Sequence, residues 1–314
     1  MNVAFQGETP ASPSLPRRHH QSPPRAAVLM VAAALFFAAM SAFVKGASAT
    51  VPNAVVVFFR NAAALACLLP WVLRRGPAGL HTRHLPEHLV RGLFGLGAMY
   101  CFFHAIAHLR LADAVLLNYT LPLFVPPIER LWLGERLPRL LWWPILLGFI
   151  GILILLRPGP GVFQPMALFA VAAAFLAAVA QVGVRKLTAA EPAAKIVVYF
   201  ALIGTIASAP AAILTWTSPV GWGWALVLGS GIAGTAGQLL MTRAYAAAPA
   251  AQAGPFLYTS VVFSGLMDFV IWDTRPDLLF VLGAAVVVAA AILTLRLKAR
   301  QREPREEVLP PAVA

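Results

Sequence analysis

The sequence predicts an all-α integral membrane protein of ten transmembrane helices, arranged as two inverted five-helix repeats. Three observations lead there. First, the 314 residues are 60% hydrophobic and 11% charged, against about 45–50% apolar and about 25% charged in soluble domains; a surface that apolar needs lipid around it. Second, apolar segments long enough to cross a hydrocarbon layer recur along the chain, joined by short basic connections. Third, residue types of the first half return in the second at a constant offset.

Residues 1–25 are rich in Pro, Ser, Arg and His, cannot bury a core, and are expected to form a disordered tail. The first span is Ala26–Lys45. Ala47-Ser48-Ala49 looks like a signal-peptidase site, but the apolar run exceeds the ~7–15 residues of a signal core and reads as a retained helix. Asn53–Leu73, Leu89–His108, Ala112–Leu131 and Leu140–Leu156 complete the first repeat, residues 26–157. Pro165–Leu187, Lys195–Trp216, Trp224–Ala246, Ala250–Trp272 and Leu278–Leu297 form the second, residues 165–297. The charged stretch 298–314 is expected to be a second disordered tail.

The charges orient the chain. With the N-terminus inside, the cytoplasmic side carries Arg17, Arg18, Arg25, Arg74, Arg75, Arg83, Arg91, Arg130, Arg136, Arg139, Arg185, Lys186, Lys195 and the basic cluster from Arg296; the outer side carries Lys45, Arg110, Arg157 and Arg275. That asymmetry follows the positive-inside rule and puts both termini in the cytoplasm. The net charge of +12 therefore reflects topology, and nucleic-acid binding is not expected. Cys67 and Cys101 lie in apolar segments, so neither a disulfide framework nor a cysteine metal motif is expected, and no cofactor is called for.

Shifting the third to fifth spans by 139 residues lays them on the eighth to tenth: Gly92 meets Gly231, Gly95 meets Gly234, Ala105 meets Ala244, Tyr119-Thr120 meets Tyr258-Thr259, Glu129 meets Asp268, and Arg157 meets Arg296. Each half holds five spans, an odd number, so the second half must lie upside down relative to the first. Inverted repeats are the build of many secondary transporters, with the solute site near the midplane.

Several stretches carry a resemblance to a known family. They are Arg60 in the second span; Asn118-Tyr119-Thr120-Leu121-Pro122-Leu123-Phe124; Leu133-Gly134-Glu135-Arg136; and Thr242-Arg243-Ala244-Tyr245 leading through Ala248-Pro249 to Pro255-Phe256-Leu257-Tyr258-Thr259. In order and spacing, over about residues 26–297, the chain resembles the ten-span EamA-domain branch of the drug/metabolite transporter superfamily. Asp273-Thr274-Arg275-Pro276 departs from the Gly-Glu common at that place in the family. The resemblance implies gradient-driven movement of a metabolite.

Charged groups inside hydrocarbon are costly and mark function by default. Arg60 is either an anchor for the solute or a structural partner of an acid such as Glu129 or Asp268. Glu129 and Asp268 are candidate coupling carboxylates, or interfacial groups that cap or pair. His104 and His108 stand one turn apart, with no third metal ligand in sight; His104 is a candidate proton relay. Asn118, Tyr119, Thr120, Gln181, Gln238, Tyr258 and Thr259 can hydrogen-bond a polar solute or glue helices together. The glycines Gly229, Gly231, Gly234 and Gly237 smooth one helix for packing, and the prolines Pro122, Pro126-Pro127 and Pro255 can open two helices. His81, His84 and His88 read as solvated loop residues.

The function expected is a secondary transporter, not an enzyme, that moves a small polar organic metabolite or drug-like solute across a bacterial inner membrane by alternating access. Its partners are that solute and membrane lipid, and it acts as a monomer or homodimer. An intramembrane enzyme acting on a lipid-linked substrate is the alternative; it would gather acids or histidines at one interface, whereas the chain holds only 12 acids in all. No P-loop pattern is present to bind ATP.

Overall fold

Proline marks where many of these helices begin. In a first turn the missing N–H costs nothing, because it would have no intrahelical partner, and the fixed φ suits the helix. The computed structural model describes residues 22–108, 116–135, 138–272 and 277–302. Helix α1 (Pro23–Ala47) opens on two prolines. α2 (Asn53–Leu80) follows Pro52 and is interrupted at Gly76, whose φ of 62° favours glycine. α3 (Leu85–His108) carries Pro86 in its first turn, and α4 (Leu121–Trp132) carries Pro122. α5 (Trp142–Leu156) continues a 3-10 turn, Arg139–Leu141, that follows Pro138. α6 (Ala167–Leu187) and α7 (Ala193–Leu214) come next, the latter after Pro192. α8 (Trp222–Ala247) leads through Pro249 into a one-turn helix, Ala250–Ala253, and a 3-10 segment, Gly254–Tyr258. α9 (Thr259–Trp272) and α10 (Leu278–Arg302) close the chain.

The described residues are helical without strands, and eight helical stretches among them are long and apolar enough to cross a bilayer. The fold is that of an all-α membrane protein. Several expected boundaries shift. Pro23–Arg25, assigned to the tail, belong to α1, because Pro23-Pro24 start the helix. α10 runs past Leu297 to Arg302. The ninth span is broken rather than continuous, since Pro255 cannot continue the α-helical ladder. His88 is not a loop residue: Pro86 starts α3 instead of stopping a helix, and His88 is buried with its ring 4.2 Å from that of Tyr199.

Helices pair α1 with α8, α3 with α6, α2 with α7 and α5 with α10. Small residues permit the approach. α1 buries Ala26, Ala27, Ala33, Ala34 and Ala38. The glycines of α8 receive the larger side chains of α1: a methyl group on Gly237 would lie 2.9 Å from the Phe37 ring, and one on Gly234 would lie 3.0 Å from the Met40 sulfur. At the α5–α10 crossing a methyl group on Gly283 would sit 2.7 Å from the Gly151 carbonyl oxygen, so the two backbones touch there. Lipid tails are as apolar as leucine, so van der Waals packing of this kind holds such helices together. Many large apolar side chains point the other way, Val28, Leu131, Leu168, Ile206 and Val270 among them, while others such as Met30, Ile145, Ile152 and Ile196 fill the interior.

Polar clasps tie the connections. Glu191, after α6, accepts hydrogen bonds from Lys195 Nζ at 2.7 Å and from the Thr82 hydroxyl at 2.7 Å. Lys195 also donates to the His81 carbonyl at 2.8 Å, and the Tyr199 hydroxyl donates to that of Leu80 at 2.6 Å. Burial pushes the Glu191 carboxyl upward, but the Lys195 and Thr82 hydrogen bonds outweigh it and hold the group below the usual carboxylate range. Arg157 and Asp277 pair between the end of α5 and the start of α10.

Replacement Gly283→Val forces two touching backbones apart. It is expected to cost about 1–3 kcal/mol or more, read as a lowered unfolding midpoint in detergent. A carboxyl with a lowered folded pKa contributes stability that is complete above its unfolded value, about 4.3 for Glu, and that is lost as the pH falls below it. Glu191→Gln is therefore expected to flatten the acid limb of a stability–pH profile while lowering stability at neutral pH.

Candidate functional site

In hydrocarbon a charged side chain costs roughly 2.5–3.5 kcal/mol on insertion scales, so its partners disclose its task. Arg60 sits on α2 and is 7% exposed. Its Nε donates to the Met40 sulfur at 3.1 Å, a weak acceptor. Its guanidinium crosses the bare face of α8 at Gly234, where a methyl group would lie 3.2 Å from Nε. Arg91, on α3, is 5% exposed. Its Nη2 donates to Gln238 Oε1 at 2.9 Å, and its guanidinium carbon lies 3.9 Å from the centre of the Phe200 ring. Its Nε is buried without a hydrogen-bond partner. Among the described residues neither arginine meets a carboxylate. A small cavity lies beside them, lined by Arg60, Asn61, Phe200, Gly234, Thr235 and Gln238 from α2, α7 and α8.

A second polar group fastens α4, α6 and α8. The Tyr245 hydroxyl bonds Gln181 Oε1. Arg185 donates to the Tyr245 carbonyl at 2.7 Å and to Glu135 at 3.0 Å. Glu129 is 2% exposed; its two oxygens accept the backbone N–H groups of Ala250 at 2.5 Å and Ala251 at 2.9 Å. These are unpaired donors at the start of the one-turn helix after Pro249, where a carboxylate is electrostatically favoured. Glu129 is thus a cap that ties α4 to the start of the ninth span.

The paired Tyr-Thr sequences sit at two helix breaks. Tyr119 and Thr120 form the turn before α4, and Tyr258 and Thr259 end the 3-10 segment before α9. The Thr120 hydroxyl donates to the Leu117 carbonyl at 2.6 Å, and the Thr259 hydroxyl to the Phe256 carbonyl at 2.7 Å. Both are local bonds that satisfy carbonyls freed by the breaks. The Tyr119 and Tyr258 rings meet edge to face with centroids 6.2 Å apart, and the Tyr119 hydroxyl bonds that of Ser260. Tyr258 packs with Leu116, Ile152, Val261 and Val287, apart from the residues that line the Arg60 cavity.

The structure therefore brings together Arg60 and Gln238 of the expected residues, with Gln181 nearby on the Tyr245 hydroxyl. Tyr119, Thr120, Tyr258 and Thr259 form a separate pair of breaks, and Asn118 is half-buried on the turn leading into one of them. His104 is exposed, its ring tilted against that of His108 with centroids 4.3 Å apart and against that of Phe169 at 4.5 Å. A relay through the interior needs a buried group, and this one faces outward. The Asp268 side chain lies outside the described residues. Arg91 and Arg185, counted above as cytoplasmic loop charges, are buried in α3 and α6. Arg91, Asn61 and Tyr245 were not among the site residues expected. The available signal for Arg91 was Gly95, one turn on, whose missing side chain makes room for the guanidinium.

Membrane-length helices around a buried polar cavity define a small-molecule membrane transporter. The EamA-like transporter family matches the chain over residues 24–157 and again over 164–296, and the chain belongs to that family. It is 35% identical over 267 residues to the pseudopaline exporter of Pseudomonas aeruginosa, covering 83% of this chain and 92% of that protein. It is 26% identical over 240 residues to the S-adenosylmethionine uptake transporter of Rickettsia bellii, covering 76% and 82%. With the riboflavin transporter of Vibrio cholerae it shares 29% over 241 residues, covering 76% and 81%. A solved crystal structure, 24% identical, shares the fold at a TM-score of 0.76, covering 90% of this chain and 100% of the other.

Glu129→Ala leaves two backbone N–H groups buried and unpaired, at about 1–3 kcal/mol each. The expected result is a lower unfolding midpoint and faster hydrogen exchange at Ala250 and Ala251, with α2 and α3 unaffected.

Proposed function

We propose that this chain is a secondary transporter that carries a small polar organic solute across a bacterial inner membrane by alternating access, with the solute seated at Arg60, Asn61 and Gln238. The observation that carries the reading is the cavity itself. It joins a buried guanidinium and two side-chain amides between α2, α7 and α8, whereas the other buried polar cluster, around Glu129, Arg185 and Tyr245, is engaged in bonds that fasten α4, α6 and α8. A polar solute finds there the donors and acceptors it gives up in leaving water.

Two features support an inverted repeat of residues 26–157 and 165–297 as the machinery. Exchanging α1–α5 with α6–α10 turns the α1–α8 pair into α6–α3 and leaves α2–α7 and α5–α10 as themselves, which is the set of pairs observed. The helix breaks at Tyr119-Thr120 and Tyr258-Thr259 also exchange, each with its own threonine bond. Two packings related by such an exchange would present the cavity to either side in turn. The basic residues favour cytoplasmic termini. One chain encloses the cavity, so a monomer suffices, driven by a solute or ion gradient.

Flux into proteoliposomes tests this. A panel of amino acids, organic acids, vitamins, nucleosides and amines is expected to include solutes carried only when the protein is present. Arg60→Ala should cut that flux at least about tenfold without loss of folded, inserted protein. Absence of flux across the whole panel, or normal flux in Arg60→Ala, would sink the reading. Glu129, engaged as a cap, and His104, exposed, would return as coupling groups if flux followed an imposed pH gradient and their replacement removed that dependence.

A further inference from the structure

A buried cation in a low-dielectric interior needs a counter-charge. Arg60 and Arg91 together bring two, at 7% and 5% exposure, and no carboxylate meets either among the described residues. Their present partners are neutral: the Met40 sulfur for Arg60, and Gln238 and the Phe200 ring for Arg91. Arg91 Nε is left over altogether. The two guanidiniums are registered on one helix. Arg60 lies at Gly234, and Arg91 binds Gln238 one turn later on α8, a rise of about 6 Å. Both Gly234 and Gln238 line the cavity.

We infer that Arg60 and Arg91 form a paired anion site, and that the transported solute is a carboxylate-bearing organic anion whose oxygens bridge the two guanidiniums. The inference rests on the transport reading and deepens it. It adds Arg91 as a second binding residue and assigns the charge class of the solute.

The geometry favours carboxylate over phosphate. The planar guanidinium fork matches either oxyanion. Phosphate sites, however, draw further donors from free backbone N–H groups at helix N-termini. The walls here, around Arg60 on α2, Phe200 on α7 and Gly234 to Gln238 on α8, are helix interiors whose N–H groups are bonded within the helix. The donors on offer are the Arg60 guanidinium, Asn61 and Gln238 on the cavity wall and the Arg91 guanidinium bonded to Gln238, which suits the few acceptor oxygens of one or two carboxylates. The two guanidiniums, set against α8 positions one turn apart, repel each other, so anion entry relieves repulsion as well as making bonds.

The test uses the full chain purified in detergent and in proteoliposomes. Acetate, succinate and citrate serve as carboxylate probes; succinamide is the neutral analogue, inorganic phosphate the competing oxyanion, and chloride the control for ionic strength. At least one carboxylate is expected to raise the unfolding midpoint, because a ligand that binds only the folded state stabilises it, while succinamide, phosphate and chloride do not. Arg60→Lys and Arg91→Gln are each expected to weaken that binding about tenfold or more. The Arg91→Gln protein without ligand should unfold at the same or a higher temperature than the parent, since the change removes a buried uncompensated charge. A merely structural Arg91 would behave oppositely, lowering the ligand-free midpoint and leaving the carboxylate shift intact. The inference is overturned if no carboxylate shifts the midpoint, if phosphate or succinamide matches succinate, or if both variants keep the full shift. Arg60-dependent flux of neutral or cationic solutes alone would leave transport standing and remove the anion site. Arginine-dependent carboxylate binding without flux of any solute would do the reverse.

Discussion

The absence of water in the bilayer core governs this molecule. Backbone polar groups there must find partners within the protein, which is why the spans are helices and why irregular backbone appears only where protein surrounds it. The same rule applies to side chains. Glu129 finds two backbone N–H groups, Gln181 finds a tyrosine hydroxyl, and Thr120 and Thr259 return their hydroxyls to nearby carbonyls. Against that background Arg60 and Arg91 stand apart, because among the described residues their charges find only neutral company.

A second consequence concerns packing. Since lipid does not drive apolar side chains together, the helices adhere through close contact, and the interior is lined with alanine and glycine while bulky residues face outward. Bare helix surface serves the site as well. Gly234 allows the guanidinium of Arg60 to cross α8, and Gly95 leaves space for that of Arg91. Helix packing and the placement of the buried guanidiniums therefore draw on the same residue type: a methyl group at Gly234 would crowd both Met40 and Arg60.

Helix breaks precede α4 and α9, each closed by its own threonine bond. Proline and a local threonine bond let each break persist in a protein interior without orphaned carbonyls. Glu129 adds an anchor across one of them, holding the end of α4 to the start of the ninth span. A rocking bundle can keep such an anchor fixed and change shape elsewhere, so a capping carboxylate at this place is consistent with transport without itself carrying protons.

Much of this was legible in the residues alone. Membrane residence, the all-α class and most of the helical segments follow from hydropathy, charge and spacing, which act locally or along the chain. Glycines on α8 were correctly read as packing surface for the same reason. Other assignments needed three dimensions. Arg91 near a helix start looks like an interfacial charge until α7 and α8 close over it, and Arg185 likewise until Tyr245 and Glu135 meet it. His88 follows a proline that could either stop or start a helix, and only packing against Tyr199 decides. Glu129 could have served coupling or capping until Ala250 arrived from 121 residues away. Burial and partnership of a polar side chain are set by elements remote in sequence, so the chain alone determined the helical membrane class and the tertiary structure decided which charges, among the described residues, meet no counter-charge.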